Sequence, residues 1–421
     1  MENYIPRPRY LQKLILRQNS GEVKIITGPR RCGKSWLLKK IYYDHLIAQG
    51  VPADHIIMIS FDVDEDVNGE ELTNPKTLKQ HLYSRITDDR AQYYVFLDEI
   101  QMVEGFERIV NGLNVRDNVD VYITGSNSRF LSSDINTVFR GRGDEVRVYP
   151  LTFKEFCEGR DESYAELWKE FYTYGGMPAL RNHPTPEQKV SYLQRLWQKT
   201  YIDDVVERNH VRNRQVLESL VDSLCSSIGS LTNPNKIRNT LRSVRNINVE
   251  DETLSNYLKY LENAFLFENC QRYNIKGKRY YESIKKYYVC DIGLRNARLN
   301  FRQQELTHIM ENVIYNELRV RGYVIDVGVI ESRRLKDGTS SYQQLEVDFI
   351  ATNGMNKYYI QSAYALHSDD KREQELASLK KIDDSFCKIV IVGDDINTYT
   401  DDNGFIFMGL PQFLQNDDIL N

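Results

Sequence analysis

The sequence predicts an α/β protein: a parallel sheet at the N-terminal end, helices in the middle, and a second α/β unit at the C-terminal end. Three observations predict it. Over the first 150 residues, short continuous apolar runs alternate with helix-length stretches, the pattern of strands buried on both faces. After Pro150 the apolar spacing turns helical. After a helix expected at Gln304–Arg321, strand-like runs return. At 421 residues the chain exceeds what one core holds, roughly 250–300 residues, so several domains are expected.

The strands follow in order. Val23–Thr27 (VKIIT) leads into a glycine-rich turn and the helical SWLLKKIYYDHL. His55–Phe61, Tyr93–Leu97, Val121–Thr124 and Val146–Tyr149 complete the first sheet. Residues 151–207 read as mostly helical, interrupted at Gly175-Gly176-Met177-Pro178. Within 208–300, Leu217–Leu224, Lys236–Arg242 and Glu252–Ala264 read as helices, and Leu266–Asn274 and Tyr280–Val289 as strands. Within 301–421 the strands are Tyr323–Val329, Leu345–Ala351, Tyr358–Ala363, Lys388–Val392 and Phe405–Met408. The expected domains are therefore 1–150, 151–207, 208–300 and 301–421.

Composition excludes several classes. Hydrophobic residues make up 41% and charged residues 27%, ordinary globular usage rather than that of a disordered, fibrous or membrane-embedded chain. No apolar run approaches the roughly 18 residues of a membrane-spanning helix. The opening MENYIPRPRYLQKL lacks the apolar core of a signal peptide, so a cytoplasmic location is expected. The six cysteines are scattered singly, which gives no zinc or disulfide pattern. The seven histidines show no HExxH spacing, and no GxSxG elbow occurs.

The strongest chemical signal is Gly28-Pro-Arg-Arg-Cys-Gly33-Lys34-Ser35, a GxxxxGK[ST] pattern between a strand and a helix. Backbone N–H groups of such a loop and of the following helix turn converge on one concavity suited to polyphosphate. Gly28, Pro29, Arg30, Arg31, Cys32, Gly33, Lys34, Ser35 and Trp36 form the expected cradle. Lys34 is expected to reach the outer phosphates and Ser35 to ligate Mg²⁺. The second signal is YYVFLDEIQ, an apolar strand ending in Asp98 and Glu99. Ligands of open α/β sheets bind at the carboxyl ends of strands. Asp98 is expected to hold the metal, and Glu99 to polarise an attacking water. The third is the strand end Thr124-Gly-Ser-Asn127, where Asn127 or Thr124 could bond a phosphate or the water. The fourth is Phe139-Arg140-Gly-Arg142-Gly, whose arginines suit a spreading phosphoryl charge.

With these pieces in view, the sequence resembles the bacterial and archaeal AAA-type P-loop ATPases whose C-terminal half carries a conserved domain of uncharacterised function. The resemblance rests on ITGPRRCGKSWLL, VFLDEIQ, ITGSN, RGR with VYPLTFKEF, YGGMP, KYYVCDIGLRNA and EVDFI with YYIQ. It implies a P-loop NTPase fold with a helical lid, and ATP and Mg²⁺ as cofactors. It assigns nucleotide chemistry to Lys34, Asp98, Glu99 and Asn127, and sets Tyr4–Leu11 near the adenine. No guanine-reading NKxD motif is present.

Residues 208–300 carry 16 lysines and arginines against 9 acids, a net of +7 in a chain of net −5. Three helices followed by a hairpin with a basic turn, Ile275-Lys-Gly-Lys-Arg279, describe a winged helix that could contact DNA phosphates or serve only structure or protein binding. Lys259 alone makes the third helix basic, which argues against strong base readout. In the last domain, Glu311, Glu346-Val347-Asp348 and Tyr359-Ile-Gln361-Ser-Ala363 resemble a restriction-endonuclease-like core. Gln361 stands where such a site has an acid, and Ala363 where it has a lysine, so a nuclease-like fold with weak or no cleavage activity is expected. Lys357 and Lys371 are the lysines near enough in sequence to substitute. A protein partner and an oligomer are compatible with this reading; a membrane is not.

Overall fold

The structure is a computed structural model that describes residues 5–61, 72–126, 139, 141–336, 339–366 and 368–420. The chain divides into two compact units: Met1–Pro150 with Asn263–Phe265, and Leu151–Glu262 with Leu266–Asn421.

In the first unit the described residues form one sheet of five strands: β1 (Val23–Thr27), β2 (Ile56–Ser60), β3 (Tyr93–Asp98), β4 (Val119–Gly125) and β5 (Gly143–Arg147). Their spatial order is β2-β3-β4-β1-β5 and every pairing is parallel. Side chains alternate between two cores, as the two-residue period of a strand requires. Val23, Ile25, Val95, Leu97, Val121 and Ile123 face a core shared with the helix Phe106–Asn114. Ile26, Tyr94, Phe96 and Tyr122 face a second core closed by Leu37, Leu38 and Ile41. The second core holds one buried charge pair, Lys24 with Asp120, and Tyr122 Oη donates to the same carboxylate at 2.7 Å. Such pairing offsets the cost of burying both ions. The fifth strand begins three residues earlier than its apolar run suggested. It is a partly exposed edge strand, so hydrophobicity marks it poorly.

The second unit opens with helices Phe153–Cys157, Tyr164–Tyr174 and Pro186–Arg195. Each begins with a reciprocal capping box: Thr152 with Glu155, Ser163 with Glu166, and Thr185 with Gln188. The break at Gly175-Gly176 is a joint. Asp291 accepts the Gly176 N–H at 2.6 Å and the Leu294 N–H at 3.0 Å. Asn296 Nδ2 donates to the carbonyls of Tyr172 and Thr173. The YGGMP and DIGLRN segments thus pack on each other. Burial pushes the Asp291 carboxyl up to about 6, against the opposing pull of backbone N–H donors from Gly176, Leu294 and Gly293.

Helices Arg214–Ser226, Pro234–Arg245 and Asp251–Asn263 follow. After them comes the antiparallel pair β6 (Phe267–Asn274) and β7 (Arg279–Val289). The helix Leu306–Val320 leads to β8 (Val324–Lys336), β9 (Thr339–Asn353) and β10 (Asn356–Ala363), antiparallel in sequence. The helix Asp369–Leu376 connects to β11 (Cys387–Val392), parallel to β10. Short β12 (Tyr399–Thr400) and β13 (Ile406–Gly409) complete a sheet ordered β12-β13-β11-β10-β9-β8-β6-β7. Both β8 and β9 run well beyond their apolar segments. Among the described residues no helix is long and apolar enough to cross a membrane.

Candidate functional site

Parallel register brings the carboxyl ends of β1, β3 and β4 side by side: Thr27 pairs with Gly125, and Leu97 with Ile123. The turn after β1 is shaped by three residues with positive φ, Gly28 (138°), Arg31 (61°) and Gly33 (105°), which favours a concave run of N–H groups. Gly28 is required by contact as well as by φ, since a Cβ there would lie 2.0 Å from the Val148 carbonyl oxygen. A helical run, Lys34–Trp36 continued by Leu37–Tyr42 and Tyr43–Ala48, leaves the loop. The Leu37–Tyr42 portion has the wider π-type turn, a feature common at functional sites.

Lys34 is buried, and its Nζ donates to the carbonyls of Gly28 (3.1 Å) and Pro29 (3.0 Å). The same Nζ lies 3.8 Å from Glu99 Oε1. The Ser35 hydroxyl donates to Asp98 Oδ1 at 2.9 Å. A hydroxyl and a carboxylate this close form a pair of hard oxygens that could hold Mg²⁺. Among the described residues no group of three or more His, Cys, Asp or Glu is arranged to hold a metal unaided.

The two acids are fixed by β4. Thr124 Oγ1 donates to Asp98 Oδ1 at 2.6 Å and accepts the Glu99 N–H at 2.9 Å. Ser126 Oγ donates to Glu99 Oε2 at 3.0 Å, and Gln101 Nε2 donates to the same oxygen. Glu99 itself has a left-handed backbone (φ 55°), an uncommon conformation for a side chain of this size. The opposite oxygen of Asp98 meets Lys39 Nζ at 2.6 Å. Under the loop, Arg7 donates to the carbonyls of Cys32 (3.2 Å) and Tyr149 (2.8 Å), and Tyr10 Oη accepts the Tyr149 N–H at 3.1 Å. Burial raises the Cys32 thiol pKa despite nearby Lys34 and Arg7, which keeps it a packing group.

The residues expected from sequence therefore divide. Lys34, Ser35, Asp98 and Glu99 converge with the loop Gly28–Gly33. Trp36, on the first helical turn, and Arg142 are both exposed. Asn127, Arg140 and Tyr4 lie outside the described residues. Lys39, Ser126, Gln101 and Arg7 join the site without a motif that marks them individually. Lys39 had a signal: it stands four residues after Ser35, on the same helical face. Thr124 is a phosphate or water ligand by sequence, but its hydroxyl proton and a lone pair are both engaged by the two acids.

In the second unit, Lys286 on β7 rather than Lys357 or Lys371 meets the acids of the last domain. Its Nζ lies 2.8 Å from Glu311, 2.7 Å from Glu346 and 3.4 Å from Asp348. Lys357 instead sits over the rings of Tyr359 and Phe386.

Comparison with known proteins agrees with this geometry. Residues 20–157 match the AAA domain family, and residues 165–305 match a domain of unknown function, DUF8612. The second match is a domain of uncharacterised function following the AAA domain, as the resemblance implies. An uncharacterized protein of Haemophilus influenzae is 34% identical over 394 residues, covering 92% of this chain and 93% of its own. The uncharacterized protein MJ1544 of Methanocaldococcus jannaschii is 31% identical, covering 90% and 83%. The fold is similar to that of the Walker-type ATPase PABY2304 of Pyrococcus abyssi, with a TM-score of 0.50 at 15% identity over 71% of this chain and 97% of that one. The chain belongs to the family of the Haemophilus and Methanocaldococcus proteins, and its N-terminal unit is an AAA domain with the P-loop NTPase fold.

Proposed function

We propose that this protein binds Mg-ATP at the first unit, hydrolyses it, and uses the cycle to switch the arrangement of its remaining domains. The observation that carries the reading is the convergence of Lys34, Ser35, Asp98 and Glu99 at adjoining strand ends, with Ser35 and Asp98 2.9 Å apart. The loop amides and Lys34 take the triphosphate, and Lys34 exchanges its two loop carbonyls for phosphate oxygens. Ser35 and Asp98 would hold the metal, which would supply charge neutralisation to the phosphates. Glu99, oriented by Ser126 and Gln101, takes a proton from the attacking water. Asn127 positions that water, and Arg140 and Arg142 stabilise charge on the transferring phosphoryl group.

Phosphate release is the test. Glu99→Gln keeps the shape of the side chain and removes its basicity, so nucleotide binding is expected to persist while turnover falls by about 100-fold or more. Unchanged turnover removes Glu99 from the role.

Beyond the first unit, the order of three helices and a hairpin with a basic turn supports a winged helix at 208–300. A helix, three antiparallel strands, a helix and a parallel strand support a nuclease-like fold at 301–421. Lysines and arginines in 208–300 make DNA the favoured partner of that region. Binding to a generic duplex is expected to weaken steeply with salt, because each phosphate contact releases counterions. Salt-independent or absent binding leaves a protein partner as the reading. ATPase domains of this kind also suit an oligomer, with a neighbouring subunit receiving an arginine.

A further inference from the structure

Lys286 is buried on β7, and its ammonium has three N–H groups. Three carboxylates meet it: Glu311 from the helix Leu306–Val320, and Glu346 and Asp348 from β9. The cluster is over-supplied with negative charge. Tyr288 Oη also donates to Glu311, at 2.7 Å, and the Ser362 N–H donates to Asp348 at 2.9 Å. Burial pushes the Glu311 carboxyl up to about 7, with Lys286 pulling it down and Asp348 pushing it up. Burial also raises Glu375, with Asp348 adding to the effect. A single ammonium does not neutralise this set.

A second observation is independent of the acids. Gln361 is 8% exposed, its Nε2 donates to Glu375 at 3.3 Å, and its buried Oε1 has no hydrogen-bond partner among the described residues. A buried amide oxygen without a partner costs free energy unless something completes it. Carboxylate and amide oxygens together are the ligand set of a hard divalent cation. Yet the carboxylates stand 2.7–3.4 Å from a nitrogen, the spacing of hydrogen-bonded ions rather than of a magnesium shell near 2.1 Å.

We propose that Lys286 is the resident cation of this cluster and holds it closed to divalent ions, so that losing the ammonium converts Glu311, Asp348 and Gln361 into a Mg²⁺- or Mn²⁺-binding site. Lysine and metal compete for the same oxygens. The side chain that silences the site is built into β7, more than sixty residues before Asp348.

The test is titration of the full chain with Mn²⁺ in the absence of nucleotide, reading free Mn²⁺ by electron paramagnetic resonance. Lys286→Met is expected to bind one Mn²⁺ about tenfold or more tightly than the unaltered protein, because the buried Glu311 and Asp348 and the half-buried Glu346 lose their counter-ion. Asp348→Asn in that background is expected to abolish the gain, which separates this site from Ser35 and Asp98. Circular dichroism and a cooperative urea-unfolding transition report that the variant is folded. Should Lys286→Met fail to fold, Lys286→Met with Glu311→Gln removes one buried charge along with the ammonium and is titrated instead. Variants that bind Mn²⁺ no more tightly than the unaltered chain overturn the proposal. So does an unaltered chain that already binds one Mn²⁺ tightly in an Asp348-dependent way, because the lysine would then not close the site.

Discussion

The Ser35 hydroxyl donates to Asp98 Oδ1 at 2.9 Å, joining residues 63 positions apart at the mouth of one parallel sheet. Neither residue is informative alone. Serine follows lysine in many helices, and acids often end strands. Their contact makes the phosphate loop and the acidic strand end one place.

Thr124 is the residue that keeps this place in register. It is fully buried and bridges the Asp98 carboxylate and the Glu99 amide. Thr124→Val preserves volume but leaves a buried charge and a buried N–H each short of a partner, a loss of about 2 kcal/mol in stability. Turnover is expected to fall about tenfold or more while ATP affinity changes little, since the hydroxyl is spent on the acids. Phosphate release and equilibrium ATP binding, measured together, check this; equal losses in both would make Thr124 a nucleotide ligand instead.

Asp291 gives the second unit a pH signature. Its carboxyl titrates at about 6 in the folded protein, against an ordinary value of about 3.9 when unfolded. A raised pKa means the native state holds its proton more tightly. The contribution is therefore full below about pH 4 and is lost as pH rises to about 6, a change of roughly 3 kcal/mol. Asp291→Asn carries no proton to lose. Urea unfolding at pH 4 and pH 7 is expected to show that this variant loses less stability across the window than the unaltered chain. Identical pH dependence would contradict the burial argument.

What the sequence disclosed follows from how local each signal is. The first four strands of the N-terminal sheet were legible because buried parallel strands are continuous apolar runs, and Gly28–Ser35 because a phosphate loop is written in consecutive residues. The long β8–β9 ribbon was legible only in part, since SRRLKDGTSSYQQ carries no apolar alternation. Contacts between distant segments were not legible at all. Nothing in the chain announces that Asp291 caps Gly176, or that Lys286 meets Glu311, Glu346 and Asp348. Each depends on the path of the backbone between the partners rather than on either residue.

The central claim is that the Gly28–Ser35 loop captures a triphosphate through its main-chain amides and Lys34. Equilibrium binding of Mg-ATP to the unaltered protein and to Lys34→Ala tests it most directly. Lys34 is buried against its own loop, so its loss removes the ammonium that the loop carbonyls hold. Affinity is expected to fall by about 100-fold or more. Retention of tight ATP binding by Lys34→Ala would contradict the claim.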